Sequence, residues 1–460
     1  MLVEKHSIVS APVFITGFFL LLMLPFSFGT VSAGAFLLCL AYLLVCYWMI
    51  RFEGSTVGFL SPLVVFVLYH SLVKDLWPTI GVILGGLQSH AALREFGLVQ
   101  LDTVLIKKLL FGLIATVAFW LGYRSLGERL FRLRFSFHEP RGTIWKLLVL
   151  VLCSCLVLFL YAKAVGGFSD LLLERGRERV DRYAAQMGGH YAFALNVGVV
   201  ATLFFYSCAK TALQKLIFLP AYVVSILCVY LATGSRSFVV TAFVMLFLVY
   251  FTKEGRLPYV RIIVGAIALI AFVGVGGEFR KAQRGAGDIS DVQVSVGVLE
   301  SVKLGVEEYS RRSSQASGEI GIIGRVPSEV GLLHGETYLA FLAAPIPRAF
   351  WQDKPRAGGY QTALLIFGRD DTAIPPGNVG ELYLNFGLPG VFVGMFLFGL
   401  FMRLLYNQCS ALNGHFAVIF LVISLAYLQP NTESMNAWLR MVAILIFVTV
   451  VFSGLPRVKR

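Results

Sequence analysis

Apolar runs of roughly 20 residues recur along this chain and limit its fold more than any other feature. A helix of that length crosses the hydrocarbon core of a bilayer, where no water satisfies backbone hydrogen bonds. Hydrophobic residues make up 57% of the 460 residues and charged residues only 14%, which excludes the water-soluble globular classes. The sequence therefore predicts an all-α integral membrane protein, a polytopic bundle of transmembrane helices.

The apolar runs predict about twelve transmembrane helices. They lie at 11–28, 31–50, 57–75, 104–123, 144–164, 190–208, 213–232, 236–252, 260–278, 383–405, 415–429 and 437–455. The Gly-rich segment 78–88 is too short to cross and is expected to be interfacial or re-entrant. The first run is expected to be a retained helix, because no small-residue cleavage site follows it.

Basic residues in one short connection set the predicted orientation. The connection 124–146 carries six cations: Arg124, Arg129, Arg132, Arg134, Arg141 and Lys146. The positive-inside rule assigns it to the cytoplasm, and alternation along the spans places both termini there. Nearly all of the net charge of +13 then lies on the inner side, as expected for a surface that faces anionic lipid. The basic charge therefore needs no nucleic acid as a partner, and none is predicted.

On this topology the chain divides into three parts. Residues 1–278 hold the first spans, the cytoplasmic connection 124–146 and a short external loop at 165–189. Residues 279–380 form a long external loop, and 381–460 hold the last spans. A loop of about a hundred residues is far longer than ordinary connections and is typical of a functional segment. Within it the spacing predicts an amphipathic helix over 292–314, followed by a re-entrant or interfacial segment that Pro345 and Pro347 interrupt.

Cationic side chains gather in the segments that are predicted to face outward. Arg236 lies in the turn ATGSRSFVV between two apolar runs, where an arginine can simply extend to lipid headgroups. The other cations predicted at the same side are Arg280, Arg348, Lys354, Arg356 and Arg440. They would repel one another unless they shared an anion, and arginine binds phosphate oxygens through paired hydrogen bonds. The pattern therefore predicts a lipid-linked phosphate or diphosphate as the ligand.

The external stretch ERGRERVDR has two interpretations. Arg175, Arg179 and Arg182 recur at helical spacing, and an acidic residue precedes each of them. Such a helix pairs its own charges on a solvated face. Alternatively, one or more of these arginines, among them Arg175, faces the diphosphate.

Two glutamates are the main candidates for an acid or base. Glu381 opens a predicted helix in GNVGELYLNFGLPG, so it is either a carboxylate stabilised by the helix N-terminus or a partly buried general base. Glu336 lies in HGETYL. The remaining external candidates are Glu278, Asp353, His190 and His334. No spacing in the sequence suggests a metal site or a nucleotide-binding loop, so no metal and no cofactor is predicted.

Three motifs resemble the Wzy-type oligosaccharide repeat unit polymerases, also called O-antigen polymerases. These are TGSRS after a predicted helix, GETYL followed by PIPRAFWQDKP, and GELYLNFGLPG at the opening of a helix. The hydropathy profile resembles the family over the whole chain. The resemblance implies a GT-C-like glycosyltransferase of the bacterial inner membrane that needs no metal. Such enzymes transfer a glycan from undecaprenyl diphosphate onto the next lipid-linked repeat unit at the periplasmic face, for O-antigen, common antigen or exopolysaccharide.

The resemblance also implies residue roles and partners. Arg236, Arg280, Arg348 and Arg440 would bind the diphosphates and stabilise charge on the leaving group. Glu381 or Glu336 would take the proton from the acceptor hydroxyl. The implied partners are the undecaprenyl-diphosphate-linked substrates, membrane lipids and a chain-length regulator protein.

Three alternatives remain open at the level of sequence. An O-antigen ligase or a peptidoglycan polymerase would show similar arginines and a similar external loop. A transporter or flippase would instead place charges at the centres of spans and break helices in both halves of the chain. The centres of the predicted spans hold almost no charge.

Overall fold

The computed structural model describes the chain from residue 33 to residue 458, with gaps. The described residues are 33–52, 61–76, 98–126, 135–140, 143–164, 166–168, 171, 188–233, 236–254, 259–285, 297–311, 314–343, 346, 350–351, 354–370, 372–412 and 414–458. They are almost entirely helical and belong to two compact units. The first unit comprises Met1–Phe131, Ser310–Gln408 and Tyr427–Ala437, and the second comprises Arg132–Tyr309, Cys409–Ala426 and Trp438–Arg460.

The elements follow one another along the chain as a series of helices with one pair of very short strands. They are α1 (Ala33–Phe52), α2 (Pro62–Val65) continuing as a π-helical segment (Phe66–Leu76), α3 (Leu98–Ser125), β1 (Phe135–Ser136), α4 (Thr143–Ala164), α5 (Gly188–Cys208), α6 (Ala212–Thr233), α7 (Arg236–Glu254), α8 (Tyr259–Gly285), α9 (Val298–Arg311), α10 (Ser314–Arg325), α11 (Glu336–Leu342), α12 (Gly358–Phe367), α13 (Asn378–Leu412), α14 (His415–Tyr427), α15 (Thr432–Ser453) and β2 (Arg457–Val458).

The predicted all-α, multi-pass membrane class is confirmed. Among the described residues, seven helices are long and apolar enough to cross a bilayer: Gly34–Arg51, Leu101–Ser125, Thr143–Ala164, Ala212–Thr233, Arg236–Glu254, Asn378–Ser410 and Thr432–Ser453. Four further predicted spans contain shorter apolar helices: Pro62–Leu72, Phe193–Cys208, Ile267–Phe279 and His415–Tyr427. The predicted span 11–28 and the segment 78–88 lie outside the described residues. The number twelve and the GT-C-like arrangement stay predictions.

In the first unit, the backbones of α3 and α13 approach each other very closely at two points. A Cβ atom on Gly122 would overlap the carbonyl oxygen of Phe396, and one on Gly399 would overlap the carbonyl oxygen of Phe119. Small residues let membrane helices approach until their backbones touch. These two glycines therefore set the distance between α3 and α13.

Helix α13 is interrupted near its beginning. Gly387 has φ 67° and ψ −162°, a conformation that is open almost only to glycine, and Pro389 follows it. The interruption separates a short first segment, which carries Glu381, from the long apolar remainder. The carbonyl oxygens of Leu384 and Asn385, just before the interruption, accept hydrogen bonds from the backbone N–H groups of Leu333 and His334.

The long segment 279–380 does not form a unit of its own. Helix α9, within the predicted amphipathic stretch, ends at the boundary between the two units, and residues 310–380 belong to the first unit. Helix α10 packs against α3 and α12, and its residues 318–323 are all buried. This part of the chain also packs against α13 through a buried hydrophobic cluster, which consists of Ile322, Val326, Ile366 and Leu384.

The second unit is built on α4, α5 and α6, which pack against one another. Gly198 of α5 lies where a Cβ atom would come within 2.9 Å of the hydroxyl oxygens of both Ser154 and Ser225. The backbone N–H of Gly198 donates a hydrogen bond to Ser154 Oγ at 3.1 Å. A glycine therefore brings polar groups of the three helices together in an apolar interior.

Part of the connection 124–146 pairs with the C-terminal tail within the second unit. Strands β1 and β2 pair antiparallel, with Phe135 opposite Val458. Lys146 Nζ donates a hydrogen bond to the carbonyl oxygen of Phe452 at 3.2 Å. The sequence predicts that both segments face the cytoplasm. The pairing places β1 and β2 side by side, and their orientation in the membrane stays a prediction.

Candidate active site

Glu381 is the centre of a buried polar cluster in the first unit. It lies in the first turn of α13 and is 0% exposed. Its Oε1 accepts a hydrogen bond from Thr432 Oγ1 at 2.6 Å, and its Oε2 accepts one from the backbone N–H of Thr432 at 3.1 Å. Because Thr432 is the first residue of α15, the carboxylate lies at the N-terminal ends of two helices, where negative charge is stabilised. The structure thus shows that Glu381 is buried and lies at helix N-termini, and its role as a general base stays a prediction.

Two glycines at the start of α12 make room for carboxylates. A Cβ atom on Gly358 would lie 2.6 Å from Glu381 Oε1, and one on Gly359 would overlap Oε1 of Glu433. The backbone N–H of Gly359 donates a hydrogen bond to the Glu433 carboxylate. The pair Gly358–Gly359 therefore brings the start of α12 against two glutamates.

Helix α11 is attached to the same cluster. Asn385 Nδ2 donates hydrogen bonds to Thr337 Oγ1 at 2.9 Å and to the carbonyl oxygen of Glu381 at 2.8 Å. The hydroxyl of Thr337 is also hydrogen-bonded to the Glu381 carboxylate. The phenol of Tyr338 donates to the carbonyl oxygen of Pro430 at 3.0 Å, and burial together with the charge of Glu381 raises its pKa well above the usual value. The Tyr338 hydroxyl therefore keeps its proton at neutral pH and donates this hydrogen bond there.

Exposed charged groups surround the start of α12. Glu336, the first residue of α11, is exposed, and its Oε1 accepts a hydrogen bond from Gln361 Nε2 at 2.9 Å. The guanidinium of Arg356 lies 4.0 Å from the ring centroid of Tyr360, a cation–π contact, and remains exposed. Lys354 Nζ donates to the carbonyl oxygen of Ile346 at 3.1 Å. An exposed carboxylate, one exposed cation and one half-buried cation thus lie beside the buried polar cluster around Glu381.

Arg236 is buried in the second unit and does not simply extend to headgroups. It is the first residue of α7 and only 8% exposed. A Cβ atom on Gly276 of α8 would lie 3.1 Å from Arg236 Cδ and 3.6 Å from the Tyr230 hydroxyl. Gly276 therefore leaves the space through which the Arg236 side chain passes.

The other predicted cations are only partly within the described residues. Arg440 is a half-buried residue of α15 in the second unit. Arg280 is a residue of α8. Arg175 and Arg348 lie outside the described residues. The first unit brings Glu381, Glu336, Lys354 and Arg356 together, whereas the convergence of all the cations on one anion stays a prediction.

Several cluster residues were missed by sequence reasoning. Thr432 and Glu433 lie in QPNTES, where a threonine followed by an acid before an apolar run is a signal of a helix start. Gly358 and Gly359 appear in the sequence as an ordinary turn signal. Among the described residues, no group of His, Cys, Asp and Glu is arranged to hold a metal ion.

The chain was compared with known proteins at the level of families, sequences and structures. It matches no family model, no curated protein and no solved structure.

Proposed function

We propose that this protein polymerises undecaprenyl-diphosphate-linked oligosaccharide repeat units by glycosyl transfer at the periplasmic face of the bacterial inner membrane. One observation carries the proposal. Exposed Glu336, exposed Arg356 and half-buried Lys354 border the start of α12, next to the buried polar cluster around Glu381. A diphosphate leaving group needs cations, and an acceptor hydroxyl needs a base, and this border offers both.

Glu336 is the proposed base. A base must come within hydrogen-bonding distance of the proton that it takes. Glu336 is exposed, whereas Glu381 is 0% exposed and binds Thr432 through both of its oxygens. Glu381 is then a positioning residue that fixes α11, α12 and α15 around the substrate.

The proposed reaction is a single displacement at the donor sugar. The acceptor hydroxyl oxygen bonds to the anomeric carbon while the bond from that carbon to the diphosphate oxygen breaks. The proton of the hydroxyl passes to the Glu336 carboxylate. Undecaprenyl diphosphate leaves with the electron pair, and Arg356 and Lys354 stabilise its charge.

Two substitutions test this assignment in cells that lack the gene and carry a variant copy. Glu336→Gln and Arg356→Ala are expected to shorten the surface polysaccharide to single repeat units, because each removes a group that acts on the reacting centre. The matched controls are Glu329→Gln, an exposed glutamate on the same unit, and Arg369→Ala, an exposed arginine beyond the other end of α12. Polysaccharide length is measured by gel electrophoresis, with protein abundance measured alongside.

Three outcomes separate the polymerase from its relatives. Single units on the carrier or on the final acceptor indicate lost polymerisation. Long polymer stranded on its carrier indicates a ligase, and arrested cell-wall glycan indicates a peptidoglycan polymerase. Long chains at normal abundance in both variants would contradict the proposed site.

A lipid or polysaccharide transporter is the second candidate function. Lys108 lies within a candidate span and pairs with Glu319, and α13 is interrupted at Gly387. Buried charges in spans and interrupted helices are features of transporters. A transporter predicts that loss of the protein leaves lipid-linked single units on the cytoplasmic leaflet, where an external glycan-binding probe cannot reach them.

A further inference from the structure

A buried ion pair lies within the first unit, away from the exposed border of the site. Lys108 Nζ lies 3.3 Å from Glu319 Oε2, and the two side chains are 1% and 10% exposed. Beside the pair is a cavity of 30 Å³, large enough for water. Glu319 lines it together with Tyr42, Ser71 and Thr116, whose hydroxyls form hydrogen bonds of 2.9 and 3.1 Å through Thr116. An ionisable pair inside a helix bundle is expensive to bury and is a candidate for a specific role.

The second carboxylate oxygen of Glu319 is directed to the beginning of α13. Its Oε1 accepts a hydrogen bond from the backbone N–H of Val379, the second residue of that helix, at 3.3 Å. The first N–H groups of a helix have no partner within the helix and are usually capped by the side chain that precedes it. Here the preceding residue is Gly377, which has no side chain to offer. Glu319 supplies the missing acceptor from another helix.

The backbone around Gly377 is shaped to admit this carboxylate. Gly377 has φ 72°, and a Cβ atom on it would overlap Glu319 Oε1. A Cβ atom on Gly380 would lie 3.0 Å from Glu319 Cγ. Glycines on both sides of the bonded N–H therefore allow Glu319 to lie against the first turn of α13.

The same turn carries Glu381. The backbone N–H of Glu381 donates to the carbonyl oxygen of Gly377 at 3.3 Å, so the two residues are joined by one helical hydrogen bond. Asn378, between them, accepts a hydrogen bond from Asn431 Nδ2 at 2.6 Å. The first turn of α13 thus binds Glu319 through Val379 and carries Glu381, the centre of the candidate site.

We infer that Glu319 is a positioning residue that caps α13 and thereby holds Glu381 in place, while Lys108 compensates the buried charge of Glu319. The effect on catalysis rests on the proposed function, whereas the effect on the turn does not. Removal of one partner alone would leave a buried charge without compensation and is expected to lower folding yield. The informative variants therefore remove both charges.

Two double variants differ at position 319, where one keeps a hydrogen-bond acceptor for the Val379 N–H and the other does not. Lys108→Met with Glu319→Gln removes the ion pair but keeps a carbonyl oxygen that can accept from Val379 N–H. Lys108→Met with Glu319→Leu keeps a similar volume and removes the acceptor. Both lack an uncompensated charge, so both are expected to accumulate at the abundance of the wild-type protein.

Hydrogen exchange of the purified protein separates capping from simple packing. In the Leu double variant, amides in 378–384 are expected to exchange roughly tenfold faster than in the Gln double variant, because a buried N–H has lost its partner. Amides of α6 in the second unit serve as the internal reference and are expected to exchange equally in both variants. Equal exchange of 378–384 in the two double variants would overturn the inference.

Polysaccharide length gives the second readout. The Leu double variant is expected to shorten the polymer, and the Gln double variant is expected to restore it. Full-length polymer from the Leu double variant, in cells where Glu336→Gln abolishes polymerisation, would also overturn the inference. When Glu336→Gln itself has no effect, the proposed function fails, and the exchange measurement alone decides the role of Glu319.

Discussion

At the scale of single residues, the candidate site depends on how a carboxylate is buried. Glu381 is inaccessible, and the backbone and hydroxyl of Thr432 compensate its two oxygens. A buried charge is tolerated when such hydrogen bonds replace its lost hydration. Glu381 therefore organises the site by what it binds within the protein.

Thr432→Val tests how much the hydrogen bond from Thr432 to Glu381 contributes to the free energy of unfolding. The substitution keeps the shape of the side chain and removes the 2.6 Å hydrogen bond to Glu381 Oε1. A hydrogen bond to a charged group contributes about 1.5–3 kcal/mol, so the free energy of unfolding should fall by about that amount. Denaturant unfolding of the purified protein measures it, and Thr432→Ser should restore most of the loss.

The control for this prediction is a half-buried threonine with an ordinary local contact. Thr241 Oγ1 donates to the carbonyl oxygen of Ser237 one turn earlier on α7. Thr241→Val should change the free energy of unfolding by less than about 0.5 kcal/mol. Equal losses of unfolding free energy in Thr432→Val and Thr241→Val would show that the hydrogen bond to Glu381 contributes no more than an ordinary local one.

Tyr338 gives the cluster a predicted response to alkaline pH. Burial and the charge of Glu381 raise its pKa in the folded protein, so between the usual value of 10.0 and the raised value the folded state holds a proton that the unfolded state has lost. Stability contributed by this group is complete below pH 10.0 and declines as the pH rises above it. The stability advantage of the wild-type protein over Tyr338→Phe should therefore be constant up to that pH and shrink beyond it.

Unfolding of both proteins across the alkaline range measures this difference. The comparison with Phe cancels the titration of the other tyrosines. An advantage that grows with pH would show that the Tyr338 phenol is stabilised in its ionised form.

At the scale of elements, backbone contact between α3 and α13 sets the framework under the site. Gly399 lies against the carbonyl oxygen of Phe119, and Gly122 lies against that of Phe396. A backbone carbonyl cannot rotate away as a flexible side chain can. The two helices must separate if either glycine gains a side chain.

Gly399→Ala is predicted to destabilise the first unit by about 1–3 kcal/mol, the usual range for overpacking a tight contact. Gly331→Ala is the matched control, because a Cβ atom on Gly331 would meet nothing within 4 Å. Thermal unfolding in detergent measures the difference. A Gly399→Ala protein as stable as the Gly331→Ala protein would contradict the close crossing.

The helices were more predictable than the contacts between them. Apolar runs located eleven of the helices, because a bilayer imposes length and hydropathy on each span independently. Spacing also located the amphipathic helix that the structure places at Val298–Arg311. The burial of α10 was not predicted, because its sequence SQASGEIGIIGR is short, glycine-rich and only weakly periodic.

The site was predictable residue by residue but not as an arrangement. Glu381 and Glu336 were identified because they lie in segments predicted to face outward, Glu381 at the point where a predicted helix begins. Thr432, Glu433 and the glycines of α12 were missed, because their roles depend on contacts between separate segments of the chain. Glu319 was missed for the same reason, since its partners are Lys108 and the first turn of α13.

At the scale of the whole molecule, charge distribution sets the predicted orientation in the membrane. Strand β2 near the C-terminus pairs with β1 of the connection 124–146, so these two described strands lie on one side of the second unit. The positive-inside rule assigns that side to the cytoplasm. The chain alternation then predicts that Lys210 faces the cytoplasm and Phe350 faces the periplasm.

Single cysteines at these two positions test the orientation. Phe350 is 85% exposed, and the Lys210 side chain is 83% exposed, so both replacements should react readily and perturb little. Each is introduced into a variant in which the seven native cysteines are replaced and polymer synthesis is retained. A membrane-impermeant maleimide added to spheroplasts should label Phe350→Cys at once and Lys210→Cys only after permeabilisation. Labelling of Lys210→Cys in intact spheroplasts would invert the topology and move the site that contains Glu336 and Arg356 to the cytoplasm, where a periplasmic polymerase cannot act.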